Sequence, residues 1–155
     1  MDAADVWNQE IGRVVIDFIT PFDTSKDDMS TSATLSTTNS RNVIYGLSEW
    51  ISDNNLEQAK TFIYHQNAQI FESDIVLNLS KRVNGQSFHS FSVGGLSTEH
   101  VDLKSLFVHE FGHVLGLGHV QDSTIDSVMV EVLQQGQEGR RELTEFDINS
   151  LACEY

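Results

Sequence analysis

Cysteine is almost absent from this sequence, which has Cys153 as the only one in 155 residues. A single cysteine excludes an internal disulfide, so the hydrophobic core and any bound metal must stabilise the fold. Cys153 follows Leu151 and Ala152 near the end of the chain, where we predict a final helix. We therefore expect its side chain to pack as a small apolar group of that helix.

Basic residues are also few. Lys and Arg total 9 against 23 Asp and Glu, so the formal net charge is −14. Nucleic acids and anionic membranes bind basic surfaces, and we expect neither as a partner. The acidity fits the solvated surface of an extracellular protein, and an affinity for cationic substrates is the weaker interpretation.

Long apolar runs and targeting signals are missing as well. No apolar segment approaches the roughly 18 residues of a transmembrane helix, so we expect no membrane insertion. Residues 1–5 have neither the basic nor the apolar region of a signal peptide. With 39% hydrophobic and 21% charged residues, the sequence is typical of one globular domain over residues 1–155, and we expect a monomer.

The segment His109-Glu110-Phe111-Gly112-His113 has the pattern H-E-x-x-H. On an α-helix, residues four apart lie on one face, so His109 and His113 can bind the same Zn²⁺. Glu110 lies about 100° round the helix, where its carboxylate can reach a water at the metal without being a ligand. Unrelated helices match this short pattern by chance, so the residues that follow decide its meaning.

The pattern continues through Gly116 and Gly118 to His119. His119 is not at a same-face helical spacing from His113. Glycine tolerates positive φ and ends helices, so a turn at Gly116 would return His119 to the metal. Three histidine ligands leave a fourth position open for water, which is typical of a catalytic rather than a structural zinc site.

The full pattern H-E-x-x-H-x-x-G-x-x-H resembles that of the metzincin zinc endopeptidases. Metzincins have a methionine turn below the metal, and Met129 in Asp126-Ser127-Val128-Met129-Val130 resembles that methionine. Core filling is the ordinary role of a single Met, but the zinc motif favours the turn. Residues 111–119 and 143–149 are most similar to bacterial matrixin-like enzymes.

The resemblance implies an α+β metzincin fold. Its parts are a twisted mixed sheet of about four strands with an antiparallel edge strand over the cleft, an active-site helix, the methionine turn and a C-terminal helix. The cleft would separate residues 1–119 from residues 120–155. Metzincins are usually secreted behind a signal and an inhibitory propeptide, so we expect a secreted protein and a mature or trimmed catalytic domain. Their latency cysteine lies in the propeptide, which argues against Cys153 as a zinc ligand.

Local patterns place the individual elements. β-Branched and aromatic residues indicate strands, and capping residues with an apolar period indicate helices. A polar segment over residues 20–40 indicates a loop. Strands are predicted at 13–19, 42–47, 60–65 and 70–79, and helices at 3–10, 102–114 and 144–152.

Further metal sites are weaker expectations. Three carboxylates of the polar loop offer hard oxygen ligands for Ca²⁺, although a solvated loop is the favoured interpretation. The three histidines outside the motif do not have the dense spacing of a second zinc site. These residues are Asp23, Asp27 and Asp28 for calcium, and His65, His89 and His100 for zinc.

The resemblance implies that the protein is an endopeptidase. Its zinc ligands would be His109, His113 and His119, and Glu110 would be the general base that activates water. An extended protein or peptide substrate would pair with the edge strand at residues 60–65.

The resemblance also bears on specificity. Residues 130–142 would form the outer wall of the pocket for the side chain after the scissile bond. Glu131 stands where some metzincins have a tyrosine ligand, so we expect none. Two alternatives remain open: a zinc-bearing pseudoprotease that binds peptides without cutting them, which the presence of Glu110 disfavours, and a zinc hydrolase of a non-peptide amide.

Overall fold

A computed structural model describes residues 2–17, 38, 40–53, 56–82, 84–94 and 98–153. The elements are helix α1 (Ala3–Ile11), strands β1 (Ile44–Leu47), β2 (Ala59–Gln66), β3 (Gln69–Asn78), β4 (Phe91–Ser92) and β5 (Val101–Asp102), and helices α2 (Leu103–Val114) and α3 (Glu145–Leu151). This architecture is α+β with a mixed sheet, as predicted. None of the helices in these ranges is long and apolar enough to cross a membrane.

The chain divides into two compact units. The helical unit comprises Met1–Phe18 and Ser90–Tyr155, and the sheet unit comprises Ile19–His89. The helical unit contains all three helices and the short parallel pair β4-β5. The predicted division at the cleft, between residues 1–119 and 120–155, remains a prediction.

The sheet unit contains a three-stranded sheet in the order β1-β3-β2. Strand β1 runs parallel to β3, and β2 runs antiparallel to it. These strands confirm the prediction at 42–47 and the predicted hairpin. Because β2 has β3 as its one neighbour among the strands described here, it is an antiparallel edge strand of the described sheet. Its Phe62 packs against a small core that has Tyr45, Leu47 and Val76 at the centre, together with Val43, Trp50 and Ile51.

Two carboxylates on β3, Glu72 and Asp74, are buried. Glu72 accepts a hydrogen bond from the N–H of Ser40, and Asp74 accepts one of 3.0 Å from the N–H of Val43. These side chains attach the segment before β1 to β3. Burial raises the pKa of Asp74 to about 6; the hydrogen bond from Val43 opposes this shift, and the charge of Glu72 adds to it.

We expect Asp74→Asn to stabilise the protein at pH 7 by about 2 kcal/mol and to have little effect at pH 4. Because the folded-state pKa of Asp74 lies above its unfolded value, the stabilisation due to its proton is present at low pH and is lost as the pH rises through about 6. Asparagine keeps an oxygen for Val43 and carries no charge. Denaturant unfolding at both pH values measures the effect, with exposed Asp53→Asn as control. A gain of equal size at pH 4 and pH 7 would contradict the assignment.

The β2–β3 hairpin turns through Asn67 and Ala68, whose φ angles are 51° and 64°. A two-residue hairpin of this kind needs positive φ at both positions, which asparagine tolerates better than alanine. We expect Ala68→Gly to stabilise the protein by about 1 kcal/mol, because glycine adopts this backbone without a Cβ clash. Thermal unfolding tests this, and Asn67→Gly should give a smaller gain. A lower unfolding midpoint for Ala68→Gly would show that the turn is not strained.

In the helical unit, α1 begins at a capping box. The Asp2 side chain accepts from the N–H of Asp5, and the Asp5 side chain accepts from the N–H of Asp2. The helix ends at Gly12, which has a φ of 73°. Trp7 of α1 is fully buried, and its Nε1 donates a 2.9 Å hydrogen bond to the carbonyl of Val108 in α2. The first helix therefore packs on the helix that carries the zinc motif.

The predicted strand at 13–19 is wrong over residues 13–17, which are exposed or half-buried and have no strand partner. The side chain of Asn8 provides the hydrogen-bond partners that a neighbouring strand would otherwise provide. Its oxygen accepts from the N–H groups of Val15 and Ile16 at 2.8 and 2.9 Å, and its nitrogen donates to the carbonyl of Ile16 at 2.7 Å. These backbone groups are satisfied locally, so β-branched composition does not produce a strand here. Residues 18–19, and most of the loop predicted at 20–40, lie outside the described residues.

The two later helices begin where the sequence predicts. The side chain of Asp102 caps α2, and Thr144 with Asp147 forms the capping box of α3. The expected packing of Cys153 is wrong, because its side chain is exposed. Helix α3 ends at Leu151, and it is this residue, two positions before the cysteine, that is buried.

Candidate metal centre

Three imidazoles converge at the end of α2. The Nε2 atoms of His109, His113 and His119 lie 3.0–3.2 Å from one another. Within the described ranges, they form the one group of three or more His, Cys, Asp or Glu side chains that can share a metal ion. The structure therefore brings together all three of the ligands proposed from the sequence.

A tight turn returns His119 to the two helical histidines. The N–H groups of Gly116 and Leu117 bond back to carbonyls of the last helical turn over 2.9 Å each, which is a Schellman motif. Gly116 has a φ of 97°, in the left-handed region that a Cβ disfavours. Gly118 does not lie in that region, so the reversal depends on Gly116 alone.

Backbone carbonyls orient two of the rings. Nδ1 of His109 lies 2.7 Å from the carbonyl oxygen of Val128, and Nδ1 of His113 lies 2.7 Å from that of Leu117. A carbonyl oxygen only accepts, so each Nδ1 carries the hydrogen and each Nε2 presents a lone pair. The residue that completes the Schellman turn thus also fixes the ring of His113.

Burial keeps these two rings neutral. It lowers the pKa of His109 to about 3 and lowers the pKa of His113, while the hydrogen bonds to the carbonyls act in the opposite direction. Both rings are therefore uncharged at neutral pH, with one hydrogen each. His119 is exposed, as expected for a ligand at the open side of a metal site.

The donor set fits zinc. Tetrahedral coordination with Zn–N bonds of about 2.0–2.1 Å places neighbouring nitrogens about 3.3–3.4 Å apart. The observed Nε2 separations of 3.0–3.2 Å differ from this by a few tenths of an ångström. Three lone pairs that point at one another repel unless a cation lies between them, and neutral imidazole nitrogens are preferred zinc ligands.

Residues 126–130, the segment predicted as the methionine turn and called so below, contact the site at two points. The carbonyl of Val128 accepts from His109. The carbonyl of Met129 accepts a 2.9 Å hydrogen bond from the N–H of Val120, the residue after His119. The turn therefore positions the first and the third histidine together.

Met129 also packs directly on α2. Its side chain is buried and lies against Gly112, the residue before His113. A Cβ at Gly112 would lie far inside the contact distance of Met129 Sδ and 3.1 Å from Trp7 Cζ2. The absence of a side chain at Gly112 allows Met129 and Trp7 to approach the backbone of the zinc-binding helix.

We expect Gly112→Ala to destabilise the protein by about 1–3 kcal/mol and to weaken zinc binding, because Met129 must move away from the helix. Gly139→Ala is the matched control, since a Cβ at Gly139 meets nothing within 4 Å. Chemical denaturation and zinc titration compare the two variants. Zinc affinity equal to that of Gly139→Ala would show that the contact between Gly112 and Met129 does not support the site.

A buried carboxylate accepts hydrogen bonds from two residues of the methionine turn. Asp147, which is 1% exposed, accepts hydrogen bonds from the hydroxyl of Ser127 at 2.5 Å and from the N–H of Val128 at 3.1 Å. It also accepts from the N–H of Thr144 at 2.9 Å. The sequence indicates Asp147 only as a capping residue; no local pattern reveals its contact with the turn.

Glu110, the proposed general base, lies in α2 directly after His109 and is buried. Its carboxylate does not belong to the group of atoms that can share a metal. This position fits a residue that acts beside the metal without binding it.

The segment at 130–142, predicted as a pocket wall, is fixed by two adjacent arginines. Arg140 Nη1 donates to the carbonyl of Val130 over 2.5 Å. Arg141 forms a two-pronged ion pair with Asp102, with N–O distances of 2.5 and 2.9 Å. Burial raises the pKa of Asp102, but hydrogen bonds from Arg141 and Ser105 outweigh it and hold that pKa below its usual range. Sequence reasoning missed both arginines.

The other candidate metal residues are not brought together in the described part of the chain. His65 is exposed on β2, His89 is buried in the sheet unit, and His100 precedes β5 in the helical unit. Asp23, Asp27 and Asp28 lie outside the described residues, so calcium remains an expectation.

Comparison with known proteins identifies one family. A family model described as "Matrixin", a peptidase family, matches residues 4–155. A search of curated proteins finds no significant match. The matched range includes all of α1 but its first residue, the three histidines, residues 126–130 and α3.

Proposed function

Because the chain belongs to the matrixin family, we propose that it is a zinc-dependent endopeptidase that cuts protein or peptide substrates bound in extended form. Membership implies the metzincin fold and a zinc-dependent metallopeptidase activity. The observation that carries the proposal is the convergence of three histidine Nε2 atoms within 3.2 Å, beside a buried glutamate that does not join them.

His109, His113 and His119 would hold the zinc. When bound, zinc lowers the pKa of water from about 15.7 towards about 7 and polarises a carbonyl as a Lewis acid. Glu110 takes the proton from the attacking water and then delivers it to the leaving amine. This chemistry requires no Ser or Cys nucleophile, so no covalent acyl-enzyme is expected.

The edge strand β2 suits a substrate of extended backbone. A peptide can add to the edge of a sheet as one more strand through backbone hydrogen bonds. Backbone pairing of this kind recognises the peptide form more than a particular sequence, which supports a broad range of cleaved peptides. We also propose that the protein acts outside the cell as a monomer.

The test is incubation with a reduced, unfolded protein, followed by mass spectrometry of the products. We expect internal cleavage that a hydroxamate and a chelator such as 1,10-phenanthroline both block, and that zinc restores after chelation. Binding of peptides without any cleavage would instead indicate a pseudoprotease. Hydrolysis of small amides but not of peptides would indicate a non-peptide hydrolase. Either result would overturn the proposal.

A further inference from the structure

Trp7 of α1 contacts the zinc-binding helix at the residues that precede both of its histidines. Its Nε1 donates a 2.9 Å hydrogen bond to the carbonyl of Val108, which directly precedes His109. Its Cζ2 lies 3.1 Å from the position of a Cβ on Gly112, which directly precedes His113. The indole of Trp7 therefore contacts the same helical turn of α2 that carries His109 and His113, on the adjacent face of the helix.

These contacts are fully enclosed. Trp7 and Val108 are both 0% exposed, and the hydrogen bond joins residues 101 positions apart in the chain. Met129 also lies against Gly112, so two side chains from distant parts of the sequence pack on this turn. A hydrogen bond is directional, so the indole N–H fixes the rotation of α2 about its axis in a way that apolar packing does not.

We propose that Trp7 is a positioning residue that sets the rotation of α2 and thereby the distances of the His109 and His113 nitrogens from the nitrogen of His119. The proposal rests on the proposed function of His109, His113 and His119 as zinc ligands. A side chain extends about 5–6 Å from the helix axis, so a rotation of about 5° moves its end by about 0.5 Å. That displacement equals the tolerance of a preorganised metal site.

The matched variants are Trp7→Phe and Trp50→Phe. Each removes one indole hydrogen bond of 2.9 Å, since Trp50 Nε1 donates to Glu57 in the sheet unit. Zinc affinity is measured by competition with a chromophoric chelator, and apoprotein stability by denaturant unfolding. We expect Trp7→Phe to weaken zinc binding about 10-fold or more and Trp50→Phe to leave it within about twofold, although both lower apoprotein stability.

A second measurement uses the wild-type protein and does not depend on the folding of a variant. Trp7 and Trp50 give two indole N–H resonances, which the Trp50→Phe spectrum assigns. We expect zinc to shift the Trp7 resonance and to leave that of Trp50 in place, because Trp7 is hydrogen-bonded to the helix that carries two of the ligands and Trp50 to Glu57. If the Trp7 resonance did not move in protein that takes up zinc, or if the two variants had equal zinc affinity, the positioning role of Trp7 would be overturned. The proposed function would be unaffected by either result. Wild-type protein that takes up no zinc would overturn the proposed function as well.

Discussion

Replacing Glu110 with glutamine lowers the rate of peptide hydrolysis by about 10²–10⁴-fold while the protein still binds zinc. Glutamine has nearly the shape of glutamate but cannot take a proton from water. Since the carboxylate of Glu110 lies outside the group of atoms that can share a metal, the three histidines are unaffected. The loss therefore falls on kcat, and KM for a peptide changes little.

Glu10→Gln provides the control for Glu110→Gln, because Glu10 is an exposed carboxylate of α1 that belongs to none of the proposed catalytic or binding residues. It removes the same charge and should leave the rate within about twofold. Turnover of Glu110→Gln at the wild-type rate would exclude Glu110 as the general base. Loss of zinc from that variant would instead assign the glutamate a structural role.

The second large effect is expected at Asp147. Asp147→Ala leaves the buried hydroxyl of Ser127 and the N–H of Val128 without their acceptor, and each lost partner costs about 1–3 kcal/mol. Including the N–H of Thr144, we expect a loss of about 3–5 kcal/mol in the free energy of unfolding. Zinc affinity should fall about 10–100-fold, because the carbonyl of Val128 orients His109.

Asp122→Ala is the matched control for Asp147→Ala. Asp122 is likewise a hydrogen-bond acceptor, with bonds from the N–H and the hydroxyl of Thr124 at 2.9 and 2.7 Å, but it is exposed. Water replaces those bonds, so this variant should lose less than about 1 kcal/mol. Denaturant unfolding and zinc titration distinguish the two. If Asp147→Ala retained wild-type zinc affinity, the methionine turn would not depend on the carboxylate.

Much of the site could be predicted from the sequence, because the three metal ligands lie within eleven consecutive residues. The spacing of His109 and His113 requires a helix, and the left-handed φ of Gly116 follows from the need to return His119 within a few residues. Capping residues likewise predict the starts of α2 and α3, since a cap satisfies backbone groups within one turn.

The parts that sequence reasoning missed depend on contacts between distant residues. The β-branched segment after α1 has the composition of a strand, yet the side chain of Asn8 satisfies its backbone instead. Asp147 is hydrogen-bonded to Ser127 and Val128, 20 and 19 positions earlier in the chain. Trp7 is hydrogen-bonded to Val108, 101 positions later. No local period or spacing encodes such pairs, because each depends on how the elements pack.

Zinc content and cleavage, measured on the same sample, test the central claim most directly. Elemental analysis of the purified protein should find about one zinc per chain, and a His109→Ala, His113→Ala double variant should retain none. Wild-type protein should cut an unfolded substrate, lose that activity with its zinc on chelation, and regain both together. Zinc in the double variant equal to that of the wild type, or cleavage that persists after the zinc is removed, would contradict the assignment of the three histidines as a catalytic zinc site.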